Sequence, residues 1–484
     1  MTTDLSSART STSTRRATIT IAIVGVFVAY LPINSVSTAL SAIRENTGAA
    51  PDQLQWVTSS YVVAMAVAVL SAGVLGEVHG RRKLLVVGLV LTSAGAVTAG
   101  AASIASSLPV LWVGQAVAGL GGGILLPVTL ALISHAVPDP RERGRFIAGW
   151  VAGTTAALAV GPVLTGVLLT YAGWGWIFAP GAVLSAGAAV FAARALEETS
   201  SPEGRSLDWW GQVSAALAIG AGVTAVIRAG RHGADDPAAL IGAVVAATAL
   251  AFFVWWERRT TLPLVSPSLF TSPRFVVASI SAALALFSMV GLMFLLSLIL
   301  GSELGLSALE VGLRIAVVPA ASAVTGLVAG RWFRRLSPVT LLASGLLANA
   351  LGTLAIMGIS TDSGFVDLAW RLMIFGAGSA VVLSSVATVA VTAVEPSLAS
   401  MAGATNTALR QVGGAFGPAA LGTIYVAALS STGDPIGALQ IALCLPAALL
   451  VLAAAAALVV SRTTSDPLPR AHSTQRDPRD EPRH

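Results

Sequence analysis

The sequence predicts an all-α, polytopic membrane protein of two six-helix bundles plus two inserted helices, about 14 transmembrane helices in all. Composition is the first reason: 55% of the 484 residues are hydrophobic and 11% are charged. So few charges cannot cover so much apolar surface in water, and the bilayer becomes the main solvent. The second reason is length, because apolar runs of about 20 residues, enough to cross a bilayer, recur in groups of six, two and six. The third is an internal repeat. The stretch GVLGEVHGRR from Gly73 returns as GLVAGRWFRR from Gly326, at the same place in the last six runs.

Taken in order, residues 1–17 are rich in Ser and Thr, carry Arg9, Arg15 and Arg16, and are expected to form a disordered tail. The apolar run that follows is too long for a signal peptide and has no small-residue cleavage site, so it reads as a span. Spans are expected near 18–40, 54–76, 84–104, 109–133, 146–170 and 174–195, giving an N-terminal bundle over 18–195. A polar break, EETSSPEGRSLD, runs from Glu197 to Asp208. The inserted pair then covers 209–256, as spans near 209–229 and 238–256. A second linker, ERRTTLPLVSPSLFTSPR, runs from Glu257 to Arg274. Six further spans near 275–300, 308–329, 339–359, 366–393, 402–429 and 436–460 make a C-terminal bundle over 275–460. Residues 461–484 are rich in Pro and charge and are expected to be a second disordered tail.

Charge placement sets the expected orientation. The turn after the second span carries Arg81, Arg82 and Lys83, the only lysine in the chain. Arg141, Arg143 and Arg145 fall between spans four and five, Arg258, Arg259 and Arg274 follow span eight, and Arg331, Arg334 and Arg335 follow span ten. Basic residues in short loops stay on the cytoplasmic side, so these turns and both termini are expected there, in the inner or plasma membrane. Of the exceptions, Arg44 adjoins Glu45, while Arg314 and Arg371 lie four residues after Glu310 and Asp367, the spacing of helical ion pairs.

The same pattern narrows the function classes. The net charge of +5 is accounted for by these loops, without a nucleic-acid partner. The lone Cys444 excludes an intrachain disulfide and a cysteine-based metal cluster. No G-x-x-x-x-G-K-S/T loop occurs, which argues against a nucleotide-driven pump, and no cofactor or metal is expected. The 48 glycines suit close helix packing in lipid.

GVLGEVHGRRK resembles the loop between spans two and three of the major facilitator superfamily, G-x-L-x-D-x-x-G-R-R/K, with Glu77 in place of Asp. GPVLTG, Gly161 to Gly166, resembles the G-P-x-x-G signature of span five in that superfamily's antiporters. WVTSSYVVA from Trp56, WGWIF from Trp174, LDWWG from Leu207 and GATNTALRQVGGAFG from Gly403 are similar to stretches of its fourteen-span drug:proton antiporter branch. The resemblance covers roughly residues 18–460. It implies a conformational latch at Gly73, Glu77, Gly80, Arg81 and Arg82, and a hinge at Gly161, Pro162 and Gly166. On physical grounds Glu77 can pair with arginines or cap a helix N-terminus.

Two positions depart from the branch. It carries an Asp in span one, in a pattern like L-D-x-T-I-V-N-V-A-L-P, and an Arg in span four ahead of Q-G; here these positions are Pro32 and Gln115. Neither side chain titrates at physiological pH. The remaining proton-carrier candidates are Glu77 and Asp208. Candidates for the substrate cavity are Tyr30, Asn34 and Ser37 on a polar stripe of span one, Gln115, and Asn406 and Arg410 in span thirteen. Two readings stand for this polar set: a wet cavity, or hydrogen bonds between helices.

The expected activity is secondary active transport that exports hydrophobic, drug-like small molecules by alternating access with a proton as coupling ion. An uncoupled carrier or an importer of the same fold is the alternative. No carboxylate lies near the centre of a span, so the cargo is expected to be neutral or anionic.

Overall fold

The computed structural model describes residues 12–199, 208–332 and 336–463. Among these described residues are 14 helices long and apolar enough to cross a membrane. In the first half these are α1 (Thr12–Thr38), α3 (Pro51–His79), α4 (Arg81–Ala105), α5 (Leu108–Ala136), α6 (Pro140–Tyr171) and α7 (Ala179–Ala195). The short α2 (Leu40–Thr47) follows α1, and a 3-10 turn at Trp174–Phe178 leads into α7. The inserted pair is α8 (Trp209–His232) and α9 (Pro237–Glu257). The second half has α10 (Pro273–Leu298), extended by a π turn at Ile299–Glu303, then α11 (Ala308–Trp332), α12 (Pro338–Ile356), α13 (Phe365–Thr392), α14 (Ala399–Thr432) and α15 (Pro435–Thr463).

Local chemistry sets the helix starts. Proline stands in the first turn of α3, α9, α10 and α12, where its missing N–H would have had no partner. Asp208 and Asp236 accept from the backbone N–H groups of Gly211 and Ala239, each at 2.9 Å, and so cap α8 and α9. The expected disordered tails need correction at their edges. Helix α1 already begins at Thr12, because Arg15 pairs with Glu142 on α6 and lies 5.5 Å from the Phe146 ring centroid. At the other terminus α15 continues to Thr463. The rest of both tails, and Arg334–Arg335 of the repeated turn, lie outside the described residues.

The two halves follow one packing plan. Within the first, α4 packs on α5, α3 on α5, and α1 on α6. The equivalent pairs α12 with α13, α11 with α13 and α10 with α14 pack in the second. Between halves, α6 meets α11 and α3 meets α14, two contacts that exchange when one half is superposed on the other. Small residues allow these approaches in lipid, where packing drives association. A β-carbon added to Gly378 on α13 would lie 2.5 Å from the Asn349 backbone nitrogen on α12.

Besides the contacts of α3 with α14, a group of close approaches between the halves gathers at one end of the molecule. A β-carbon on Gly166 of α6 would lie 2.6 Å from Leu309 Cα on α11, and one on Gly312 would run into the Pro162 carbonyl. Ser297 on α10 donates to the Ser37 carbonyl on α1, and Arg44 meets Glu303 at 3.7 Å. All of these lie in the ends of the helices remote from the Gly73–Lys83 turn. At the turn's own end, a β-carbon on Gly73 or on Gly326 would have no atom of the described residues within 4 Å.

Two ion pairs expected from spacing come out differently. Asp367 and Arg371 pair at 2.8 Å as expected. Arg314 instead donates to the Glu310 carbonyl at 3.2 Å, while the Glu310 carboxylate accepts from Ser307, which caps α11 reciprocally with it. Arg44 turns from its neighbour Glu45 to Glu303, across the halves.

The inserted pair lies against the seam between α3 and α14. Arg231 pairs with Asp52 of α3 at 2.7 Å, Gln212 donates to the Val67 carbonyl at 2.6 Å, and Thr423 of α14 donates to the Val226 carbonyl at 3.0 Å. Helix α9 lies outermost, with Ile241 and Val244 more than 60% exposed, as a lipid-facing helix should be.

Close packing at glycine gives a test. Gly413→Ala forces a methyl group into the Ala283 carbonyl of α10, whereas Gly403→Ala meets its nearest atom, on Val391, at 3.7 Å. Overpacking costs about 1–3 kcal/mol. Thermal unfolding in detergent should show a lowered midpoint for Gly413→Ala and no change for Gly403→Ala.

Candidate functional site

The polar residues of α1 and α14 meet between the halves. Tyr30, Asn34 and Ser37 share a face of α1 through their helical spacing. Arg410 Nη2 of α14 donates to the Tyr30 hydroxyl at 3.0 Å, which joins the two halves through a charged group inside the bundle. Beside it Gln411 Nε2 contacts Met65 Sδ of α3 at 3.0 Å. No acidic side chain pairs with Arg410 among the described residues.

Several atoms of this group are buried without a hydrogen-bond partner: Arg410 Nε, Asn406 Nδ2, Gln411 Oε1 and Asn34 Oδ1. An unmet buried polar atom costs about 1–3 kcal/mol. Unmet atoms on Arg410 itself and on three amides of α1 and α14 are the kind that water or a polar ligand satisfies, while Asn34 Nδ2 already donates to the Leu158 carbonyl of α6 at 3.1 Å. The chemistry on offer is a positive charge with adaptable amide donors and acceptors.

Not every expected cavity residue joins this group. Ser37 donates to the Ile33 carbonyl at 3.0 Å, and its own carbonyl takes the bond from Ser297, so it serves the joint between α1 and α10. Gln115 donates to the Val57 carbonyl at 3.1 Å and lines a small cavity within the first half, with Pro32, Ser35, Thr92 and Phe178. Pro32 and Gln115, the two departures from the branch pattern, therefore line one cavity. With no acid at one position and no base at the other, neither would be left as an unpaired buried charge.

On α6, Gly161, Pro162 and Gly166 sit where this helix crosses α1 and α11. A β-carbon on Gly161 would lie 2.6 Å from Ser35 Oγ and 3.0 Å from the Leu31 carbonyl of α1. Two helices from opposite halves thus bear on one short segment of α6, and its small residues admit both.

At the basic turn, α3 ends at His79, Gly80 takes φ 104°, and α4 starts at Arg81. A positive φ of this size favours glycine. Gly80 has no side chain to cap α4, and the cap comes from elsewhere. Glu198, just beyond α7, accepts from the backbone N–H groups of Arg82 at 3.0 Å and Lys83 at 3.2 Å. Arg81 N–H donates to the Thr199 carbonyl at 3.0 Å, and the Arg82 guanidinium donates to the Ala193 carbonyl. The capping role open to Glu77 is filled by Glu198, whose negative charge suits the positive end of α4. Sequence reading missed it because Glu198 stands in a polar break with no motif around it. Glu77 itself is half-buried near the end of α3.

The other proton-carrier candidate, Asp208, begins α8. Its Oδ1 accepts from Gly211 N–H at 2.9 Å and from Trp256 Nε1 at 2.7 Å, and next to it lies Glu257. Glu257 was expected to open a polar linker. It is instead the last residue of α9 and only 4% exposed.

Comparison with known proteins agrees with this architecture. The profile of the Major Facilitator Superfamily matches residues 22–418. Multidrug resistance protein Stp of Mycobacterium tuberculosis is 31% identical over 85% of this chain and 76% of its own. Drug efflux pump JefA of the same organism is 30% identical over 87% of this chain and 82% of its own. A crystal structure of a POT family transporter in complex with 5-aminolevulinic acid shares the fold, with a TM-score of 0.69 at 13% identity over 93% of this chain and 96% of that one. A multi-pass fold of 14 candidate spans, built from two like halves, and a profile match across most of the sequence converge on a transporter and not an enzyme: the chain belongs to the Major Facilitator Superfamily.

Proposed function

We propose that this protein exports hydrophobic, neutral or anionic small molecules across the cytoplasmic membrane by alternating access, as a proton-coupled antiporter. The observation that carries the reading is Arg410, a guanidinium inside the bundle, between the halves, which donates to the neutral Tyr30 hydroxyl. An arginine so placed needs water, a counter-charge or a ligand. The names of the relatives, a multidrug resistance protein and a drug efflux pump, support drug-like cargo and outward direction, as does the GPVLTG resemblance.

The basic loops support a cytoplasmic location for both termini and for the Gly73–Lys83 turn. In that orientation the halves meet at their outer ends, and the open space at Gly73 and Gly326 faces the cytoplasm. The conformer is then the inward-facing one, ready to take cargo from inside. Closure would bring the two repeated turns into contact, with Glu77, Arg81 and Arg82 as the latch and the Gly161–Gly166 segment as the hinge. Proton coupling falls to the acids at span ends, Glu77 and Asp208. One observation favours a second reading, an uncoupled carrier: Pro32 and Gln115 leave the branch's acid and base positions without a titratable group.

The deciding experiment is substrate flux in proteoliposomes with and without an imposed pH gradient. Uphill flux under the gradient is the expected result; active but purely downhill flux would select the uncoupled carrier.

The cargo site gives a sharper expectation. A hydrogen bond to a charged group is worth about 1.5–3 kcal/mol, or roughly ten- to a hundredfold in affinity. Arg410→Gln should weaken transport of an anionic substrate by about that factor and leave a neutral one much less affected. Equal losses for both would show that Arg410 has a structural role alone.

The latch gives another. Glu77→Gln should slow transport in a folded, membrane-inserted protein. Glu198→Gln should mainly lower the thermal midpoint, because a charged cap at an exposed helix end contributes about 0.3–1 kcal/mol. Initial transport rates and unfolding midpoints, measured on both variants, separate the two roles; full-rate transport in Glu77→Gln would remove it from the latch.

A further inference from the structure

The inserted helix pair has a built site at its basic end, next to Arg258 and Arg259, that joins Asp208 of the LDWWG stretch to a residue no motif marks. Asp208 Oδ2 and Glu257 Oε1 are both buried and without a hydrogen-bond partner. They converge on one point above Gly211, where a β-carbon would lie 2.6 Å from the first and 2.7 Å from the second. Their other oxygens are already satisfied. Asp208 Oδ1 holds the α8 N-terminus and the Trp256 indole, and Glu257 Oε2 accepts from Val265 N–H at 3.0 Å. Each carboxyl is thus fixed in place with one oxygen left facing its neighbour.

Two carboxylates in such reach cannot both be ionised without a strong penalty, since burial and like charge each disfavour the second negative charge. A cation to relieve them is absent from the described surroundings. Arg258 and Arg259, next along the chain, are exposed, and Arg259 lies 4.5 Å from the Trp255 ring centroid. From α3 the pair's neighbour Gln212 is met by neutral groups, the Ser71 hydroxyl and the Val67 carbonyl, while Glu77 and His79 lie further on towards the turn. The basic residues of α8, Arg228, Arg231 and His232, are at its other end, and Arg410 of α14 is bonded to Tyr30. No third His, Cys, Asp or Glu joins the two carboxyls to make a metal site among the described residues. One proton shared between the two free oxygens would meet both, with one O–H donating and one carboxylate accepting.

We propose that Asp208 and Glu257 bind one shared proton, and that this is the proton the carrier exchanges. The proposal deepens the coupled-antiport reading and rests on it for the role of the proton. On release, the O–H bond breaks, the proton passes to water at the basic end of the inserted pair, and the two carboxyls go from one negative charge to two. Tryptophans 209, 210, 255 and 256 mark that end as membrane–water interface, close to a proton source while the facing oxygens stay dry. The site can sense the transport cycle because α8 is bonded to both halves, to α3 through Gln212 and to α14 through Thr423.

The test uses the full-length protein in proteoliposomes, as wild type, Asp208→Asn and Glu257→Gln. Both substitutions keep the oxygens that hold the cap and the Val265 N–H, and downhill flux verifies that each variant is folded. Infrared difference spectra across a pH titration should show one protonated-carboxyl band in wild type, lost in either variant, together with loss of uphill flux under a pH gradient. A band that survives either substitution, or two carboxyls that titrate independently, overturns the shared proton. Uphill flux that persists in both variants overturns its part in coupling. If wild type itself shows only downhill flux, the antiport reading fails, and the infrared band alone still decides whether the pair holds a proton.

Discussion

Charge is costly in hydrocarbon, and the whole structure is arranged around that cost. Ion pairs and capped carboxylates cluster at the helix ends: Arg15 with Glu142, Arg231 with Asp52, Arg371 with Asp367, Arg44 with Glu303. Several of these also do mechanical work, since Arg44 with Glu303 joins the halves and Arg231 with Asp52 clasps the inserted pair to α3. Arg410 is the charge that stands apart. It sits between the halves against a tyrosine hydroxyl, among amide atoms that have no partner. Buried polar atoms left without a partner there carry a cost in stability.

Small residues supply the other half of the plan. Where helices cannot be driven together by water, they must approach closely enough for their backbones to pack. Gly378 against Asn349, Gly166 against Leu309 and Gly161 against Ser35 are contacts of this kind. The same property lets one segment of α6 bear on α1 and on α11, within and between halves. The packing exchanges symmetrically between halves, so a motion that parts one end of the seam can close the other without unpacking either bundle.

The inserted helices are more than spacers in this arrangement. Helix α8 lies along the seam of α3 and α14 and is hydrogen-bonded to both. At its root Asp208 faces Glu257 of α9, and its far end carries the Arg231–Asp52 pair. The interhelical linkers also take structural roles: Glu198 caps α4 from beyond α7, and the loop after α9 returns Val265 to hold Glu257.

Much of this was legible in the residues themselves. Span number, the six-two-six grouping and the repeat follow from hydropathy and spacing, because a bilayer admits few alternatives to a helix of the right length. The Tyr30, Asn34 and Arg410 candidates were also visible, as polar groups at a depth where lipid would not tolerate them. What tertiary structure alone decided were the partnerships. Asp208 and Glu257 are 49 positions apart in a sequence that gives no sign of their meeting, and Glu198 reaches a helix that starts at Arg81. Arg44 passes over its neighbour Glu45 for Glu303, and Ser37 turns from cavity to joint. Periodicity says which face of a helix is polar. Only the packing of helices distant in sequence says which polar groups meet across it, because that depends on crossing points set by close contacts of small residues.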